Sequence, residues 1–212
     1  AAAPSFKEKD KQLLAWYNRQ MKNMGIEIKF NTEITDITKL DADEIVVATG
    51  SSTRKLRMKG AERCIDAIDY LSGKEVGETV AIVGGGLTGC EIAYDLILKG
   101  KKPIIIEAKN DLMAVSGLCL ANSSYLRDYF KYKNIPVYLE SKLIGITPKK
   151  VEIETKDGKK HSVSADSIIT AIGYNPNPIA KASKNVHIVG DALRVGNLRT
   201  VIWRAWDVAC KL

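Results

Sequence analysis

Thr79-Val80-Ala81-Ile82-Val83-Gly84-Gly85-Gly86-Leu87-Thr88-Gly89-Cys90-Glu91 is the stretch on which the reading of this chain turns. A short β-branched apolar run predicts a buried strand, and the residues that follow carry G-x-G-x-x-G and open a helix that runs to Lys99, with Gly100 as its stop. Such a turn suits a dinucleotide. Gly84 permits the tight bend, Gly86 lets a pyrophosphate approach the main chain, and Gly89 lets the helix pack close to the strand. Gly85, Leu87 and Thr88 complete the loop and the first helical turn, whose N–H groups point at bound anionic charge. A glycine-rich turn alone also serves any strand-to-helix connection; the strand-turn-helix setting is what makes this one specific.

Working outward, Pro103 to Glu107 reads as the next strand, which closes a βαβ unit. Glu107 follows Gly89 by eighteen residues. An acidic side chain there can accept hydrogen bonds from both hydroxyls of an adenosine ribose and repels a 2′-phosphate, so NAD(H) is favoured over NADP(H). Lys101, Lys102 and Lys109 stand near it in sequence and are expected to soften that repulsion. Glu91, read as lying in the first helical turn, also has a plain explanation in the helix dipole. Three further apolar runs end on small residues: Ala48-Thr49-Gly50, Ala171-Ile172-Gly173 and Val189-Gly190-Asp191. Small side chains at the carboxyl edge of a parallel sheet leave room for a ligand lying across it. Singly, each is also an ordinary turn.

The remaining elements follow from periodicity. Lys7 to Met24 predicts an amphipathic helix with Gly25 as a left-handed cap, and 25–30 and 43–48 predict strands. Residues 51–77 are irregular and charged, as a crossing between lobes would be. Ser123 to Lys133 predicts a helix leading to strand Ile135 to Leu139, and Val151 to Val163 predicts an antiparallel hairpin around Lys156–Lys159. Ser167 to Ile172 and Val186 to Val189 read as strands, and Leu198 to Leu212 as a closing helix. The fold class is α/β: a Rossmann-like nucleotide-binding domain, with a parallel sheet and an antiparallel hairpin layer, inserted in an incomplete second α/β domain. The expected division is 1–60, 61–183 and 184–212.

Composition narrows the classes. With 212 residues, 45% of them hydrophobic, a packed core is expected. No apolar run reaches the length of a membrane span and Ala1 to Asp10 is polar, which favours the cytoplasm. The absence of an initiator Met suggests that Ala1 is a processing boundary. The net charge of +7 is spread among acids over the whole length, without the clustered stripe and stacking aromatics of a nucleic-acid surface. Cys64, Cys90, Cys119 and Cys210 form no C-x-x-C pair, so buried thiols are expected, and His161 and His187 have no neighbours at metal-ligand spacing. No metal and no catalytic acid, base or nucleophile is expected.

Taken together, these segments resemble the two-dinucleotide-binding flavoprotein superfamily, the pyridine nucleotide-disulfide reductase-like proteins, in which an NAD(P) domain is inserted into an FAD domain. Ala48-Thr49-Gly50 resembles the A-T-G motif near the flavin, Gly84 to Glu91 the G-G-G-x-x-G-x-E nicotinamide-nucleotide motif, and Gly190-Asp191 the G-D motif whose Asp holds a flavin ribityl hydroxyl. Ala171-Ile172-Gly173 resembles the loop beside the nicotinamide nucleotide, and the resemblance places Glu91 near the nicotinamide end. Gly190-Asp191-Ala192-Leu193-Arg194-Val195-Gly196-Asn197-Leu198-Arg199-Thr200-Val201-Ile202-Trp203-Arg204-Ala205-Trp206-Asp207 is similar to the carboxyl end of the NADH:flavin oxidoreductase branch, which includes 2,4-dienoyl-CoA and 2-enoate reductases. Those enzymes carry an FMN barrel and an iron–sulfur cluster ahead of the FAD and NAD(P) lobes, and the sequence contains neither these nor the first FAD motif. The resemblance thus covers nearly the whole chain but only the back portion of the family pattern.

What the resemblance implies is a nucleotide-binding piece of a flavin-dependent NADH oxidoreductase that delivers hydride to FAD for an enoate- or dienoyl-type acceptor and is inactive by itself. Its partners are then dinucleotide cofactors and the flavin domains of the same polypeptide, with no nucleic acid or membrane. The alternatives are an NADH oxidase or glutamate-synthase-type small subunit, or a non-catalytic dinucleotide-sensing module. The absence of C-x-x-C disfavours a thioredoxin reductase.

Overall fold

The computed structural model describes residues 2–115 and 117–212. In chain order the elements are α1 (Glu8–Asn23), β1 (Ile45–Val47), β2 (Ser51–Thr53), β3 (Ile65–Asp66), α2 (Ala67–Leu71), β4 (Thr79–Val83), α3 (Leu87–Leu98), β5 (Lys102–Ile106) and α4 (Leu120–Tyr132). They continue with β6 (Val137–Tyr138), β7 (Ser141–Thr147), β8 (Lys150–Thr155), β9 (Lys160–Ser164), β10 (Ser167–Thr170), β11 (Tyr174–Pro176), β12 (Val186–Ile188), α5 (Gly190–Leu193) and α6 (Leu198–Ala209). The chain divides into two compact units, one chiefly of Glu8–Ser52 and Tyr174–Leu212, the other of Ala3–Lys7 and Thr53–Gly173. The changeovers therefore fall at 52/53 and 173/174, beside sequence expectations of 60/61 and 183/184.

The 53–173 unit is built on a five-stranded parallel sheet in the order β3-β10-β4-β5-β6. Alternation along β4 explains its two faces. Val80 and Ile82 enter a core with Ile92, Leu96, Leu126 and Phe130 from α3 and α4, while Ala81 and Val83 join Val151, Ile153 and Val163 of the antiparallel sheet β7-β8-β9. With both faces covered, β4 is apolar and buried from Val80 to Val83, as parallel strands usually are. Helix α3 stops where Gly100 turns left-handed, with Gly100 N–H bonded to the Ile97 carbonyl and Lys101 N–H to that of Leu96. The expected α/β class, with its parallel sheet and antiparallel layer, is borne out.

The other unit holds the parallel pair β1–β12, in register from Ile45↔Val186 to Val47↔Ile188, and helices α1, α5 and α6. Neither α1 nor α6 buries a residue, and Leu14, Trp16, Met24, Trp203 and Trp206 are exposed.

Several expectations need correction. Residues 26–29 form no strand despite their alternation; Ile26, Ile28 and Phe30 lie exposed, because a strand needs a ladder partner as well as a pattern. The stretch 51–77 is not irregular throughout: it contributes β2, a 3₁₀ turn at Ala61–Arg63, edge strand β3 and helix α2, each too short to show a period. The hairpin gains a third strand, β7, whose pattern is broken by a bulge between Leu143 and Gly145. Of the four cysteines only Cys90 is buried; Cys64 is partly so, and Cys119 and Cys210 are exposed.

Candidate functional site: a glycine cradle and a held carboxylate

Three adjacent strands of the parallel sheet, β10, β4 and β5, end together at one carboxyl edge. Onto that edge come Gly84 to Gly89, Glu107 and Ala171 to Gly173. The glycines do separate jobs. Gly84 has φ of 113°, and a Cβ there would lie 2.4 Å from the Ala171 carbonyl oxygen; the Ala171 N–H in turn donates to Val83 at 2.8 Å. A Cβ on Gly89 would lie 1.9 Å from the Gly84 oxygen, so the helix approaches the turn as only glycine allows. At Gly86 a Cβ would meet nothing within 4 Å, so the main chain there is open to a ligand. Gly86 is also the N-cap of α3 and no side chain caps it, which leaves the amides of the first turn, from Leu87 on, without a side-chain acceptor. An open glycine turn at an uncapped helix start fits a pyrophosphate.

Glu107, just past β5, is fixed at both oxygens: Gly85 N–H donates to one at 2.6 Å and Lys109 N–H to the other at 2.7 Å. Each oxygen retains acceptor capacity for a hydroxyl. The neighbouring lysines do not act as the sequence suggested. Lys102 pairs with Thr79 at the opposite end of β5, roughly 16 Å away at 3.3 Å per residue, and its ammonium bonds Glu78 at 2.5 Å. Lys101 donates to the Val76 and Gly77 carbonyls, and Lys109 turns its ammonium to the Ala114 carbonyl at 3.0 Å. Proximity in sequence misplaced the first two.

Glu91 lies in the second turn of α3, not the first, so the dipole explanation weakens with it. Its carboxylate is ion-paired to Lys7 at 2.5 Å, both side chains mostly buried. Nothing in the local sequence joins residues eighty-four apart. Cys90 is buried in this turn, and burial pushes its thiol pKa up, so it stays neutral and donates to the Gly85 carbonyl.

The remaining expected residues gather in the other unit. Ala48-Thr49-Gly50 follows β1 and Gly190-Asp191 follows β12, so the parallel pairing brings both segments to one edge. Thr49 Oγ1 donates to the Asn177 carbonyl at 2.7 Å and Gly50 has φ of 74°. Asp191 accepts from Gly196 N–H at 2.9 Å and stands 3.5 Å from Ser51 Oγ. Sequence reasoning missed Leu112, Met113 and Arg127, which pack under and brace the glycine turn; no local motif marks them. Among the described residues no group of three or more His, Cys, Asp or Glu is placed to hold a metal ion. No helix of the described chain is long and apolar enough to cross a membrane.

The family model for pyridine nucleotide-disulphide oxidoreductases matches residues 38–200. The chain belongs to this family. It is 39% identical over 215 residues to a cinnamate reductase of Clostridium sporogenes, covering 97% of this chain and 32% of that protein. It is 29% identical to an NADH oxidase of Thermoanaerobacter brockii, covering 100% of this chain and 35% of that one. Among solved structures, a 2-naphthoyl-CoA reductase in complex with 2-naphthoyl-CoA superimposes with a TM-score of 0.88 at 22% identity, over 100% of this chain and 33% of that one, a likeness of fold. The chain thus spans about a third of the length of these proteins. The superfamily expected from the motifs is borne out, and the cinnamate reductase and NADH oxidase among its relatives agree with the expected branch.

Proposed function

We propose that this chain is the nicotinamide-nucleotide-binding portion of an NADH oxidoreductase whose whole polypeptide passes hydride to FAD and reduces an enoate- or dienoyl-type acceptor. The observation that carries this reading is the open turn at Gly86 beside a carboxylate held at both oxygens by main-chain amides. When bound, nicotinamide and flavin supply the redox chemistry. The chain's own residues bind and orient. Gly84 to Gly89 cradle the pyrophosphate, Glu107 accepts from the adenosine ribose, and Ala171-Ile172-Gly173 flank the nicotinamide nucleotide. Glu91, with Lys7 on it, stands toward the nicotinamide end. Ala48-Thr49-Gly50, Gly190 and Asp191 belong to the flavin side.

NAD(H) is preferred because Glu107 is an acid and because the one lysine beside it, Lys109, already spends its ammonium on a loop carbonyl. An alkene acceptor draws support from the Clostridium relative, since cinnamate is itself an α,β-unsaturated carboxylate. FMN and an iron–sulfur cluster, where the whole protein holds them, lie in the rest of the polypeptide, which also covers the apolar faces of α1 and α6. The cytoplasm is the proposed location.

Calorimetric titration of the chain with NADH and NADPH tests the cradle: NADH is expected to bind more tightly, and equal or tighter NADPH binding would overturn the role of Glu107. Tryptophan emission is a poor probe, since Trp16, Trp203 and Trp206 all lie in the unit without the cradle. Alone, the chain is expected to hold flavin weakly and turn over negligibly; purification with stoichiometric FAD would contradict that. For the whole polypeptide, anaerobic NADH oxidation on adding cinnamate supports the alkene reading. Rapid dioxygen consumption without it favours the NADH oxidase reading, for which the Thermoanaerobacter relative speaks.

A further inference from the structure

Arg127, midway along α4, sends its hydrogen bonds to Asp111 and Leu112, in the loop on which the residues assigned above lean. Its Nε and Nη2 grip the Asp111 carboxylate at 3.1 and 2.9 Å, and Nη2 also donates to the Leu112 carbonyl. Leu112 and Met113 are buried. The Leu112 Cδ2 methyl presses on Gly85 so closely that a Cβ there would lie 2.6 Å from it, and the Met113 N–H donates to the Gly85 carbonyl at 2.7 Å. Met113 does this with φ of 52°, a left-handed conformation that a non-glycine residue keeps only where its surroundings impose it. Lys109 closes the loop on itself, its N–H on Glu107 and its ammonium on Ala114. Gly85 is therefore held from both sides, N–H by Glu107 and carbonyl by Met113, and the loop that holds it is itself clamped by one guanidinium.

We infer that Arg127 is a positioning residue for the adenosine half of a bound dinucleotide, locking residues 109–114 against the Gly84–Gly86 turn and so fixing the amides and the Glu107 carboxylate that meet the ligand. The inference rests on the dinucleotide reading of the site. A partly exposed ion pair contributes little to stability, so its loss is expected in affinity and not in melting. The planar fork of a guanidinium grips both carboxylate oxygens and the neighbouring carbonyl in one fixed geometry, which the compact ammonium of a lysine on its flexible stem does not reproduce.

The test is titration calorimetry of the 212-residue chain with NADH and with ADP-ribose. Arg127→Met should weaken both ligands by about tenfold, the effect of roughly one hydrogen bond no longer well placed. Its melting temperature should stay close to that of the natural chain. Leu126→Ala, which opens the core under the same helix turn, should do the reverse. Arg127→Lys should recover only part of the affinity, and Asp111→Asn, altering the loop side of the clamp, should reproduce the loss should Arg127→Met not fold. Unchanged affinity in Arg127→Met or Asp111→Asn overturns the inference and leaves the site reading standing. Full recovery in Arg127→Lys overturns it too, because general charge attraction then suffices. Failure of the natural chain to bind ADP-ribose removes the site reading itself, and the inference with it.

Discussion

A methyl group added at Gly89 would press on the Gly84 carbonyl, which is main chain and cannot turn aside, whereas one added at Gly86 meets open space. Gly89→Ala should therefore cost roughly 1–3 kcal/mol of stability, the range for forcing extra atoms into a packed site. Gly86→Ala should cost less than about 1 kcal/mol as a poorer N-cap, yet weaken NADH binding. Thermal melts and calorimetry on the two variants separate the structural glycine from the ligand-facing one; NADH affinity unchanged in Gly86→Ala would remove the close approach proposed there. The tight packing at Gly89 and the open space at Gly86 were legible because each glycine answers a main-chain requirement written into a six-residue motif. The brace beneath them was not: Arg127 and Asp111 are sixteen residues apart, and a helix with one arginine among its polar positions gives no sign of what that arginine grips. Glu107 was singled out by its spacing from the glycine turn, but its fixation by Gly85 and Lys109 appears only once the strand end and the turn are folded together.

At the scale of elements, α3 is pinned to its surroundings through Asp95, a carboxylate with 2% of its surface exposed. Ser5 Oγ donates to it at 2.8 Å, Tyr70 at 2.7 Å and Lys99 at 2.6 Å. Burial pushes its pKa up, but the bonds from Lys99, Tyr70 and Ser5 outweigh burial and hold it below the ordinary value. The folded form thus prefers the ionised carboxylate, and the stabilisation is present above the unfolded pKa, near about 4, and lost as pH falls through the lower folded value. Asp95→Asn should cost about 1–3 kcal/mol at neutral pH and flatten the fall of stability below about pH 4, measured by urea melts across pH. Phe130→Ala, by contrast, should cost about 3–5 kcal/mol at every pH, because it empties the core between α4 and the sheet. The strands β4 and β5 were readable in advance since both faces are buried and the apolar run is unbroken. Residues 26–29 alternated as cleanly and formed nothing, because pairing depends on a neighbour that local pattern does not encode. The strand β7 is seven residues long yet escaped notice, its alternation interrupted by the bulge between Leu143 and Gly145.

For the whole molecule, the uncovered faces of α1 and α6 set the behaviour of the isolated chain. Large exposed apolar residues grouped on single helices favour self-association. Replacing Trp203 and Trp206 by Ser should leave the melting temperature nearly unchanged, as surface substitutions usually do, while reducing concentration-dependent association in sedimentation velocity. An unchanged association constant would show that other surfaces drive it. The fold class was recoverable from sequence at this scale because the βαβ unit and the hairpin layer are each local; the short elements β2, β3 and α2 have no period to mark where one unit gives way to the other. In the segment 53–173 the Arg54 N–H bonds the Gly173 carbonyl at 2.9 Å, so its two ends lie at neighbouring positions. A segment with its two ends already side by side imposes almost no tether on the host that carries it, since the entropy of bringing those ends together is met within the segment. Such a segment behaves as a cassette, exchangeable for another of the same span between its ends provided that the seat of Ser5 and Lys7 on Asp95 and Glu91 is carried over with it.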